Sequence, residues 1–142
     1  MLPSTTIVDG RRQIVDDPPM IEHLDGDVFA DLFPSFEAYL GTLDADRRHL
    51  VEHYQYVDFA RKVVGVGSVG MRVYLLLLEG ARPDDLLFLQ AKQAGPSVYE
   101  AFLEPSRYPN HGQRVTVGRR FIQSSTDIFV GWTSAAGIDF YV

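Results

Sequence analysis

Glycines and one lysine are the residues here whose types and spacing could do chemistry. Gly65, Gly67 and Gly70 stand at G-x-G-x-x-G spacing within V-V-G-V-G-S-V-G-M-R-V-Y-L-L-L-L, and Lys92 comes about two dozen residues further on. Glycine has no Cβ, so it adopts positive φ and lets backbone approach a ligand closely. Amide N–H groups freed in such a turn can point at phosphate oxygens. A lysine ammonium nearby would meet the same anion.

The residues after the last glycine decide between two architectures. A dinucleotide-binding loop opens a helix. Here Met71, Arg72, Val73 and Tyr74 run into four leucines and stop at Glu79-Gly80 and Pro83, a short β-prone run. The order strand, glycine turn, strand is the one that covers ATP phosphates in protein kinases. Residues 84–91 (D-D-L-L-F-L-Q-A) read as a third strand ending at Lys92. Kinase-type lobes place a lysine on their third strand, facing the α- and β-phosphates. A lysine in a buried strand is costly unless an anion meets it.

The other elements must position that loop. Residues 1–25 are rich in Pro, Asp and Arg and read as an extended arm, solvated or lying over the domain, with Arg11, Arg12, Asp16 and Asp17 either solvated or in contact with a ligand. Residues 26–55 read as a helical extension. Val28, Leu32, Phe36 and Leu40 recur at helical spacing, Asp27 suits the N-cap and Gly41 the end. A second short helix starts at Asp44. His49 and His53 share one face of it but lack H-E-x-x-H order and a third ligand, so no metal site is expected. Residues 56–142 read as the main body. Arg61 and Lys62 are expected on the sheet's outer face, a short helix at 97–103, a longer one at 113–125, and strands at 128–132 and 138–142 joined by a turn at 134–137. The sum is an α+β fold: a protein kinase-like small lobe, with a five-stranded antiparallel sheet, packed helices and an N-terminal helical extension.

Composition narrows the partners. The chain has 142 residues, 46% of them hydrophobic, enough for one domain with a real core. A net charge of −6 argues against nucleic acid, whose binding needs clustered cations. Absent cysteines fit a cytoplasmic protein and exclude a thiolate metal site. No run of about 20 apolar residues implies a membrane span, and no secretory leader is visible at the start.

The segments V-V-G-V-G-S-V-G, L-F-L-Q-A-K-Q-A, N-H-G-Q-R-V, D-I-F-V-G-W and D-F-Y-V, with I-V-D-D-P-P near the start, resemble the bacterial family called domain of unknown function 2252. That family is regarded as distantly related to kinase-like phosphotransferases. The resemblance implies that Gly65, Gly67, Ser68 and Gly70 form a phosphate loop and that Lys92 contacts phosphate. Kinases pair this lysine with a helix glutamate. Family members tend to carry one where this chain has Val117, so Glu100, on the helix after Lys92, is the substitute candidate.

Phosphoryl transfer also needs an aspartate base, and an Asp and Asn to hold magnesium. No H-x-D with a subsequent Asn occurs after the glycine loop, and Asp127 and Asp139 have no asparagine partner in such a motif. Family members continue past D-F-Y-V into a second lobe. The expectation is a nucleotide-binding lobe that is not catalytic alone, taking ATP with magnesium only within a full-length protein. It would be either a piece of a longer protein or a natural small-lobe protein. A non-catalytic interaction or dimerisation module is the alternative, with a homodimer formed through the surface a second lobe would cover.

Overall fold

A computed structural model describes residues 3–24, 28–63 and 70–142, with the side chains of 28–32 outside that description. Gly65, Gly67 and Ser68, and the cap residue Asp27, lie outside the described residues. The fold is mixed α+β. Its elements are β1 (Thr5–Val8), β2 (Arg11–Ile14), β3 (Ile21–Glu22), α1 (Val28–Leu40), α2 (Ala45–Val51), β4 (Gln55–Lys62), β5 (Val73–Glu79), β6 (Leu86–Ala94), α3 (His111–Ile122), β7 (Trp132–Ala135) and β8 (Ile138–Tyr141). A 3-10 turn at Val98–Ala101 lies between β6 and α3. The strands form a two-stranded sheet, β1-β2, and a six-stranded sheet in the order β3-β4-β5-β6-β8-β7. The sequence leads to five strands in one sheet. The sixth is β3, a two-residue strand held against the end of β4.

The chain forms two compact units, Met1–Gly26 with His49–Lys92 and Asp27–Arg48 with Gln93–Val142. In the first, β5 is the central strand. Val73, Leu75 and Leu77 are buried on one face, and Leu78 is buried as well. A run of leucines suits a strand covered on both sides, which is why it shows no polar alternation. The core joins Leu75, Leu77 and Ala60 to Ile14 and Ile21. Ile14 and Ile21 come from the segment expected to be an extended arm. That segment instead carries β1, β2 and β3. Asp9 and Gly10 both have positive φ, 49° and 76°. This is the Asp-Gly reversal that matches the twist of a two-stranded ribbon. Arg12 then fastens the hairpin to the end of β5: its Nε donates to Glu79 Oε1 at 3.1 Å and its Nη2 to the Pro83 carbonyl at 2.7 Å.

In the second unit, α1 and α3 pack beside the β7–β8 hairpin. Ser35 Oγ donates to the Ser134 carbonyl at 3.0 Å, Thr133 Oγ1 to the Ser35 carbonyl at 2.6 Å, and Tyr39 Oη to the Phe129 carbonyl at 2.6 Å. Burial pushes the Tyr39 phenol pKa up, and Asp127 adds to the shift. In place of the strand expected at 128–132, β7 starts at Trp132, with Gly131 already exchanging backbone hydrogen bonds with Val142, because Asp127 closes a local turn by accepting from Phe129 N–H at 2.9 Å.

Candidate functional site

The register of the first unit brings the lysines together. Val73 on β5 pairs with Lys92 on β6. On the other side Arg61 pairs with Tyr74, which puts Lys62 at the rung of Val73, and Lys62 also pairs with Ile21. Directly opposed residues of antiparallel strands share a face. Lys62, Val73 and Lys92 therefore stand in one row on one face, with the two lysine backbones about 10 Å apart across the intervening strand. The chain leaves β4 after Lys62 and enters β5 at Val73, so the glycine segment joins the sheet at this row. Gly70, at the end of that segment, has φ of 83°, a left-handed conformation that suits glycine.

Chain order predicts that β6 ends at Lys92. The strand continues to Ala94, so Lys92 lies inside it and is partly buried. Arg61 and Lys62, both expected on the outer face, are separated by the pleat: Lys62 shares the face of the buried Val73, and Arg61 lies on the opposite one. Lys62 also lines a pocket of about 420 Å³ with Pro3, Ser4, Val15, Asp16 and Met20.

Glu100 lies in the second unit. It closes a capping box with Ser97, whose backbone N–H donates to Glu100 Oε1 at 3.4 Å, and Arg114 Nε stands 4.0 Å from the same oxygen. The helix expected at 97–103 is this single 3-10 turn.

Beside the pocket is a cluster that sequence reasoning does not single out. His23 Nδ1 lies 2.8 Å from Asp16 Oδ1, and His23 Nε2 lies 3.0 Å from Asp58 Oδ2. Asp58 is buried and also accepts from Ile14 N–H at 2.6 Å. Burial disfavours the imidazolium, but the two carboxylates outweigh it and hold the His23 pKa above the ordinary value. The hydrogen bond from His23 in turn holds the Asp16 carboxyl below its ordinary range. In sequence the residues are separated by 7 and 35 positions, too far for a local pattern to link them.

The other motif segments are explained by packing. Asn110 caps α3, its Oδ1 accepting from Gln113 N–H at 2.9 Å, while its Nδ2 donates to Asp139 Oδ1 at 3.0 Å. Asp139 also accepts from His111 N–H at 2.7 Å and Ser134 Oγ at 2.8 Å. Gly112 lies against the Phe140 carbonyl, where a Cβ would collide with backbone. Gly131 leaves room for Thr42 and the Tyr39 ring, and its carbonyl accepts from the buried Thr116 hydroxyl at 3.1 Å.

Among the described residues no group of three or more His, Cys, Asp or Glu could hold a metal ion. His49 and His53 stack edge to face with ring centroids 4.6 Å apart, and His53 Nδ1 bonds the His49 carbonyl at 2.7 Å. Among the described residues no helix is long and apolar enough to cross a membrane.

The described residues thus form a mixed α+β fold with two lysines in one row of the sheet. The family model described as "Uncharacterized protein conserved in bacteria (DUF2252)" matches residues 1–142, and the chain belongs to that family. No curated protein and no solved structure matches it.

Proposed function

We propose that this domain binds the phosphates of a nucleotide, ATP, as the small lobe of a kinase-like phosphotransferase. The observation that supports the reading is the row Lys62–Val73–Lys92 at the point where the glycine segment joins the sheet. A strand, glycine segment, strand and lysine in this order are the parts that cover the ATP phosphates in kinases, with the lysine on the α- and β-phosphates. Gly65, Gly67, Ser68 and Gly70 would supply N–H groups, and Lys92 the ammonium. Glu100 as the lysine's partner finds less support, since its carboxylate already serves Ser97 and Arg114. The catalytic base and magnesium ligands are not among these residues, so the domain binds nucleotide without transferring phosphate. Isothermal titration of the full gene product with ATP and magnesium tests this. Lys92→Ala should weaken binding roughly tenfold or more, the worth of a charge-assisted contact. Equal heats from wild type and variant would remove the reading.

The second reading is a non-catalytic interaction module that pairs with a second copy of itself. Val98, Tyr99, Phe102 and Leu103 favour it, because all four are exposed and Phe102 is 85% accessible. Light scattering should then show a dimer that Phe102→Ser dissociates. A monodisperse monomer at high concentration counts against it.

A further inference from the structure

The hairpin β1–β2 rests on the sheet through Ile14, and Ile14 N–H ends on the buried carboxylate of Asp58. A buried carboxylate is costly unless cations or donors answer it. The second group at Asp58 is His23 Nε2. The opposite ring nitrogen, Nδ1, meets Asp16, two residues past the end of β2, and Asp16 Oδ1 also accepts from His23 N–H at 2.9 Å. One imidazole therefore spans two carboxylates on two elements. Only the doubly protonated ring can donate to both; a neutral ring has one N–H and turns a lone pair towards the other carboxylate.

We propose that Asp16, His23 and Asp58 form a protonation-dependent clasp that holds the N-terminal hairpin on the sheet. With the ring charged, Asp58 is neutralised in place and Ile14 stays bonded. With the ring neutral, one of the two contacts becomes repulsive: either the lone pair of Nδ1 faces Asp16, or that of Nε2 faces the buried Asp58, which then keeps the Ile14 amide alone. Opening to water is then the relief, and the hairpin loosens first at Ile14. The segment between β2 and β3 moves with it: Val15 N–H is bonded to the Ser4 carbonyl, and Val63 N–H to the Met20 carbonyl. That segment forms one wall of the pocket beside Lys62.

Other charged groups around the cluster do not replace the imidazole. Asp17 and Lys62 line the pocket with Asp16. Glu22 is paired with Arg61 across β3 and β4, one position out of phase with His23 and so on the other face. On β4, burial and then the Asp58 charge push the Tyr56 phenol pKa up, so it stays neutral over the relevant range. Arg12 is held by Glu79, Thr5 and the Pro83 carbonyl.

Amide exchange on the full chain, corrected for intrinsic base catalysis, tests the clasp at pH 6 and pH 9. Protection of the Ile14 amide should fall at least tenfold at pH 9 in the wild type, while β5 amides hold. In His23→Gln it should be low and equal at both values. A wild-type protection that does not change, or a change of the same size in the variant, overturns the proposal. Should His23→Gln fail to fold, NMR titration of the wild type decides. An imidazole midpoint above about 6.5, shared by the Ile14 amide shift, supports the clasp, and a midpoint at or below that value overturns it.

Discussion

Gly112 and Gly118 stand six positions apart on α3 and answer opposite needs. At Gly112 a Cβ would run into the Phe140 carbonyl, and Asn110 Oδ1 lies 3.0 Å from the same point. Neither neighbour can give way easily: one is strand backbone, the other is the cap of α3. Gly112→Ala should therefore destabilise the fold by about 1–3 kcal/mol, the range for overpacking a filled site. At Gly118 a Cβ meets nothing within 4 Å. Gly118→Ala removes only backbone freedom from the unfolded chain and should stabilise by about 0.5–1 kcal/mol. Thermal melts of both variants beside wild type check the pair. A neutral Gly112→Ala would mean that α3 does not approach β8 this closely. The glycines prominent in the sequence, Gly65 and Gly67, have spacing as their whole signal. Gly112 has no spacing signal, because its constraint is a carbonyl 28 positions away.

At the level of elements, most of what is local is legible. The period of residues 28–40, the Gly41 stop, the start of α2 after Asp44 and the leucine run of β5 can all be read from the chain, and so can the β7–β8 reversal. Ala136 and Gly137 form its turn with φ of 49° and 74°, so Ser134 and Ala135, expected in the turn, extend the strand. The β1–β2 hairpin is equally local, yet it contradicts the expected arm. Thr5–Val8 and Arg11–Ile14 flank Asp9-Gly10, the strongest short hairpin signal there is, but the prolines and aspartates after it point towards an extended segment. No local pattern carries the docking: Ile14 reaches Asp58 and Arg12 reaches Glu79 across 44 and 67 positions. The lysine row is half legible in the same sense. Chain order is enough to place Lys92 on its strand. Lys62 joins it only through register, and a shift of one residue would have sent it to the opposite face.

For the whole molecule, the pH dependence of stability below the tyrosine range stems, among the described residues, from His23 and Asp16, whose ionisation folding shifts; the raised phenols of Tyr39, Tyr54 and Tyr56 act only at higher pH. His23 is raised, so its contribution is complete below the ordinary histidine value and is lost as pH rises through the raised one. Asp16 is lowered, so its contribution is complete above the ordinary aspartate value and is lost as pH falls through the lowered one. The two overlap in full between about pH 4 and pH 6.5. Net charge acts in the same direction at the upper end. At −6 and a sequence isoelectric point near 5.0, the chain repels itself more as pH rises. The melting temperature should therefore peak on the weakly acidic side and decline towards pH 9. Self-repulsion alone would give a similar decline, so the variant separates the causes. His23→Gln keeps the size of the side chain and leaves only the general charge term, so its melting temperature should lie below wild type at pH 5.5 and converge with it by pH 9. Added salt distinguishes them again, since about 1 M screens exposed charges to about 3 Å but reaches the buried Asp58 poorly. Parallel curves for wild type and His23→Gln across the whole range would assign the decline to net charge and leave the imidazole without a part in it.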